Sequence, residues 1–214
     1  IAEEARPIQR EAEKAAAPSE FLRFIVGIAL VGLLAFMLFS GIQLGSLPGL
    51  YSPDTVAFFN TVQQFTQLQN PPARLLVAVD YEPALAGELE TVARTPLRQM
   101  LEAGSQLIVL STVPAGPALG EQLIADAAAD LPAFQADLQV LNLGYLVGGS
   151  TSLANLAAQP SVAAPALNSG APAWDMPLLQ GIQSVADFDG LLLMTENAET
   201  ARAWIEQVQP RLGS

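Results

Sequence analysis

Four short polar clusters hold the side chains of this chain that could do chemistry: Asp80, Tyr81 and Glu82; Ser111 and Thr112; Asn142 and Tyr145; and Thr195, Glu196 and Asn197. Each follows an apolar run of strand length. Ligands of open parallel sheets bind outside the carboxyl ends of the strands, so if the four runs are neighbouring strands these residues converge on one rim. Asp80 and Glu82 then make a carboxylate pair suited to general acid–base work or to a divalent cation. The clusters also have a plainer use, because polar residues collect where strands give way to loops, and Asp, Ser, Thr and Asn cap the helices that follow. With no basic residue or histidine nearby, that plainer use is favoured and no catalytic residue is expected.

A second motif, Gly148-Gly149-Ser150-Thr151, offers backbone N–H groups to an anion. It lacks the lysine of a P-loop and does not fit G-x-G-x-x-G between a strand and a helix, so turn formation and helix capping are the expected roles. An aspartate ending a first strand is also a feature of phospho-receiver domains. No lysine stands near a later strand end, which argues against that chemistry.

The 214 residues contain no cysteine and no histidine. Ser-His-Asp and Cys-His nucleophile systems are excluded in their usual form, as are Cys/His zinc sites and imidazole ligation of haem or chlorophyll. Neither a cofactor nor a metal is expected to reside in this chain. The formal charge is −12, and 16 acidic against five basic residues lie from Asp54 onward, a charge of −11 for that part. Such a surface repels nucleic acid, which is not expected as a partner.

The elements that must position these residues read as alternating strands and helices. Strands are expected at Leu75–Val79, Gln106–Leu110, Leu138–Leu143 and Gly190–Met194. Helices are expected at Pro83–Ala103, Gly116–Asp130, Ser150–Ala158 and Ala198–Arg211. This alternation implies βαβ units and a mostly parallel sheet, hence a three-layer α/β domain of flavodoxin-like or Rossmann-like kind over residues 73–214. Gln159 to Asp175 reads as a long proline-rich loop, in which Trp174 either meets a partner or pins the loop to its own domain.

Ahead of that domain, Phe24 to Pro53 contains no charged residue, and its first 21 residues, Phe24–Leu44, match the roughly 20 apolar residues that carry a helix across a bilayer. A soluble core helix would carry a polar face, and a cleaved signal would be shorter and end in small residues. A single-pass transmembrane helix over residues 21–45 is therefore expected. Arg6, Arg10, Lys14 and Arg23 precede it and no Lys or Arg follows until Arg74, which puts residues 1–20 in the cytoplasm and the α/β domain outside the inner membrane. Ala29, Gly32 and Ala35, with Gly41 and Gly45, offer small-residue surfaces to a partner helix or to a second copy. In the juxtamembrane segment 46–72, Ser52-Pro53 starts a helix whose Phe58, Val62, Phe65 and Leu68, with Phe59 alongside, require burial on the domain, the bilayer or a neighbouring subunit.

The segments Val77–Leu89 (VAVDYEPALAGEL), Ser111–Leu119 (STVPAGPAL) and Leu141–Gly149 (LNLGYLVGG) give the chain a resemblance to a group of bacterial membrane-anchored α/β-domain proteins without an established activity. The resemblance covers about Phe24 to Leu212 and implies an N-terminal anchor, an external α/β domain and further hydrophobic segments after the last helix. No site residue follows from it. The function expected is that of a non-catalytic accessory or assembly subunit of a larger membrane complex, photosynthetic or respiratory in kind, with integral membrane subunits and the bilayer as partners. The alternative is a tethered ligand-binding domain or enzyme acting at the Asp80 and Glu82 rim.

Overall fold

The computed structural model describes residues 20–39, 52–68 and 70–213. The chain divides into two units, Ile1–Tyr51 and Ser52–Ser214. The first contains α1 (Glu20–Phe39), whose sequence carries no charge after Arg23. Phe24, Ile28, Val31, Leu33 and Phe36 are exposed and spread around the helix. Among the described residues no helix is long and apolar enough to cross a membrane. Within α1 the described side chains are those of residues 23–33, 35 and 36, so the bilayer passage read over Phe24–Leu44 rests on sequence alone. The helix-pairing glycines Gly41 and Gly45 and the N-terminal segment lie outside the described residues.

The second unit is an α/β domain with one four-stranded parallel sheet in the order β3-β2-β1-β4. Its strands are β1 (Arg74–Asp80), β2 (Gln106–Ser111), β3 (Val140–Tyr145) and β4 (Gly190–Thr195). All three pairings are parallel. The order is that of a Rossmann-type sheet rather than a flavodoxin-type one, with the switch point between β1 and β4. Alternation along the strands sends Leu75, Val77 and Val79 into one core and Leu76 and Ala78 into the other. On the first face lie α2 (Pro53–Gln67), α3 (Ala86–Glu102) and α4 (Gly116–Ala128). On the second lie α6 (Ser150–Ala158), α8 (Ala198–Gln207) and the long connection before β4. Strands buried on both faces explain why their sequences read as continuous apolar runs.

Helix α2 begins as the sequence implies: Ser52 Oγ accepts the Thr55 N–H at 3.2 Å and Pro53 opens the first turn. Val62 is buried and Phe65 packs against Gly190, so the helix docks on its own domain. Phe58 and Phe59 remain 37% exposed and Leu68 42%.

Two expectations need correction. Residues 136–139, partly assigned to the third strand, form the helical turn α5 (Ala136–Gln139), because the Gln139 side chain accepts the Gln135 N–H at 3.0 Å and donates to the Leu101 carbonyl at 2.8 Å. The Gln159–Asp175 stretch contains the helical turn α7 (Pro160–Ala163) and a bridge between Ala166 and Pro172. Trp174 donates its Nε1–H to the Ala164 carbonyl at 2.7 Å and packs on the second core, which pins the stretch down.

Candidate functional site

The carboxyl ends of β1 and β2 are joined by one hydrogen-bond network centred on Asp80, which is 1% exposed. Oδ1 accepts the Thr112 backbone N–H at 2.6 Å and lies 2.9 Å from Ser111 Oγ. Oδ2 accepts the Thr112 hydroxyl at 2.7 Å and the Trp204 indole N–H at 2.6 Å. The Ser111 proton is shared with the Val79 carbonyl, 2.6 Å away, while its oxygen accepts the Val113 N–H at 2.9 Å. Every partner of the Asp80 oxygens is a donor, the surroundings a carboxylate needs when buried without a cation. Among the described residues the ion pairs are Arg94–Asp126 and Arg202–Glu199, both exposed, and neither touches it.

This network depends on a close approach at the start of α4. A Cβ at Gly116 would overlap Ser111 Oγ and the Val79 carbonyl, so only glycine lets the helix descend onto the strand ends here. From the opposite layer, α8 delivers Trp204, fully buried, over the top of β1. At the carboxyl end of β1 the space on the second face is thereby taken up by an indole and a hydrogen-bonded carboxylate.

The other rim residues are dispersed. Glu82 is exposed and leads into a short 3-10 turn, so Asp80 and Glu82 do not act as a pair. Asn142 donates to Glu121 at 2.6 Å and the Pro117 carbonyl at 3.1 Å and accepts the Gly144 N–H at 2.8 Å, tying β3 to α4. Tyr145 is 41% exposed at the end of the edge strand. Thr195 lies opposite Asp80 in the sheet register. Asn197 caps α8 by accepting the Glu199 and Thr200 N–H groups, and Glu196 is exposed. Among the described residues no group of three His, Cys, Asp or Glu side chains could hold a metal ion.

Beside this network a groove of about 430 Å³ runs between α6 and α8. Thr112 and the Gly149-Ser150 turn lie at one end, and Glu199, Arg202 and Glu206 along α8. Sequence reading singled out Thr112 and the glycine turn but missed the α8 side chains and Trp204. The only sequence signal for Trp204 is its place with Val208 on the apolar stripe of the last helix; nothing in the pattern pairs it with Asp80.

Tyr81 follows Asp80 and is also fully buried, its hydroxyl donating to Glu90 at 3.2 Å. Burial first, then the Glu90 charge and that hydrogen bond, push its phenol above the ordinary value of 10. The folded state therefore keeps a proton that the unfolded chain releases. The resulting stability is complete below about pH 10 and declines as pH rises beyond it, by up to about 1.4 kcal/mol per pH unit. Urea unfolding between pH 9 and 11 is expected to show this alkaline loss, and Tyr81→Phe to flatten it. Equal slopes in the two proteins would assign the loss to other groups.

Compared with known proteins, the chain matches no family model, no curated protein and no solved structure.

Proposed function

We propose that this chain is a non-catalytic accessory or assembly subunit of a larger bacterial membrane complex, held by one transmembrane helix over Phe24–Leu44, its N-terminus cytoplasmic and its acidic α/β domain outside the inner membrane. The observation that carries the reading is α1, which presents Phe24, Ile28, Val31, Leu33 and Phe36 on all sides. A helix apolar all round is stable only in lipid or among other apolar helices. The accessory role is supported by the burial of Asp80, whose oxygens are engaged by Thr112 and Trp204 and which is 1% exposed.

The experiment is mild detergent extraction of the native membrane, native separation and mass spectrometry of what migrates with the chain. Stoichiometric comigration with integral membrane subunits is the expected result. Migration alone, or release of the chain by a carbonate wash, would overturn the reading.

A second reading, a tethered ligand-binding domain, is favoured by the groove between α6 and α8, whose lining includes Arg202, Thr112 and the Gly149-Ser150 turn. It requires the site to lie in that groove rather than at Asp80 and Glu82. Migration of the chain alone, together with retention of a small molecule that Arg202→Ala abolishes, would establish this reading in place of the first.

A further inference from the structure

Helix α2 carries apolar side chains in the open near its N-terminal end. Measured from the buried Val62, Phe59 projects about 60° around the helix and Val56 about 120° in the same sense, so the two share one flank. Both are exposed, Val56 by 47%. Toward the C-terminus the same flank continues as Gln63 and Gln67, which are exposed too. The opposite flank is occupied by its own domain: Phe58 and Phe65 share a crevice of about 120 Å³ with Leu191 and Leu192, and Phe65 packs against Gly190. The rings of Phe58 and Phe59 meet edge to face at 5.5 Å, which ties the exposed ring to a seated one. Leu68, also exposed, lies past the helix at its C-cap. Val56 and Phe59 are thus a fixed apolar point on a flank that is otherwise polar.

Two properties of the chain indicate what meets this point. The first is charge. Between Phe24 and Ala73 only Asp54 is charged, whereas the part from Asp54 onward carries 16 acidic and five basic residues. Acidic surface is repelled by anionic headgroups over a Debye length, about 8 Å at physiological ionic strength, so the face suited to rest on a membrane is the one without charge. The second is reach. With the anchor ending at Leu44, the seven residues Gly45–Tyr51 lead to Ser52, and at about 3.5 Å per residue they extend no more than about 30 Å. The first turns of α2, which carry Val56 and Phe59, are therefore the part of the domain tethered most closely to the bilayer.

We propose that Val56 and Phe59 seat in the headgroup–acyl boundary of the bilayer that holds the anchor, a second lipid contact that sets which side of the α/β domain faces the membrane. The inference rests on the proposed transmembrane helix over Phe24–Leu44 and names the bilayer itself as the partner of this flank. Helix α2 lacks the Lys and Arg of a helix that binds membranes unaided. It does not need them, because the anchor makes the contact intramolecular and a weak apolar interaction then suffices. A second copy of the chain is a poorer occupant, since it brings together two domains that each carry −11 from Asp54 onward.

The absence of cysteine makes single-site labelling direct. The full chain, reconstituted in phosphatidylcholine–phosphatidylglycerol vesicles, is labelled with an NBD fluorophore at Phe59→Cys, at Val56→Cys or at Val162→Cys. The last is a site 69% exposed in α7, on the other layer of the domain. Doxyl-labelled lipid is expected to quench the first two on the order of threefold more than the third, and aqueous iodide to quench them less. Equal lipid quenching at the three sites would overturn the proposal. In the native membrane a benzophenone at position 59 is expected to crosslink to lipid; crosslinking to another subunit or to a second copy would overturn the proposal in favour of that occupant. Release of the chain by a carbonate wash would remove the anchor and this contact together. Retention through the wash without lipid quenching at Phe59 or Val56 would overturn this inference alone.

Discussion

Trp204→Ala is expected to destabilise the domain by about 4 kcal/mol, measured as a lower urea midpoint at nearly unchanged slope. Two losses combine. The indole is fully buried in the second core, and removing a large aromatic from such a site costs about 3–5 kcal/mol through lost transfer energy and the cavity left behind. Its N–H is also one of the donors to Asp80 Oδ2, at 2.6 Å, and a buried carboxylate deprived of a donor keeps its desolvation cost. Trp204→Phe separates the two by refilling most of the volume without a donor, and about 1.5–3 kcal/mol of the loss should remain. The Asp80 partner can be tested through the same cycle. If the two groups act through their hydrogen bond, Asp80→Asn combined with Trp204→Phe costs less than the sum of the single changes. Additivity would mean that the indole matters for packing alone. Since domains of this size are stable by about 5–15 kcal/mol, the alanine variant sits near the limit of folding.

Gly116→Ala is expected to cost about 2–3 kcal/mol, although alanine is the better helix former. The added methyl overlaps Ser111 Oγ and the Val79 carbonyl, and both belong to the rigid ends of neighbouring strands. Helix α4 must lift, and the Ser111 and Thr112 bonds to Asp80 open with it. Gly87→Ala in α3 is the control: its Cβ meets nothing within 4 Å, so that change should be neutral or stabilising by up to about 1 kcal/mol. Removing the hydroxyl, by Ser111→Ala, should recover only part of the Gly116→Ala loss, because the Val79 carbonyl remains in the way. Full recovery would locate the clash at the hydroxyl alone.

Both expectations concern residues whose importance is invisible in one dimension. The α/β architecture was legible because strands buried on both faces must be apolar throughout, and because the helices between them repeat with a different period. Boundaries slipped where a side chain intervened, as Gln139 does in turning the start of the third strand into a helical turn. The rim was legible as a set of strand ends, and Asp80, Ser111 and Thr112 do come together. Glu82, Tyr145 and Glu196 lie at strand ends too, yet they face solvent, and Asn142 sits within β3, where it braces α4.

The amino-acid sequence by itself determined the alternating α/β pattern, the apolar character of α1 and the chemistry that a chain without cysteine or histidine cannot perform. These are properties of composition and short-range periodicity, which survive without knowledge of what packs on what. Only the tertiary structure decided the order β3-β2-β1-β4 and the meeting of Asp80 with Ser111, Thr112 and Trp204 at the end of β1. Each depends on groups far apart in the chain: Trp204 meets Asp80 across 124 positions. A hydrogen bond between such groups leaves no periodic mark on the sequence, because its partners are chosen by the packing of whole layers rather than by their neighbours along the backbone.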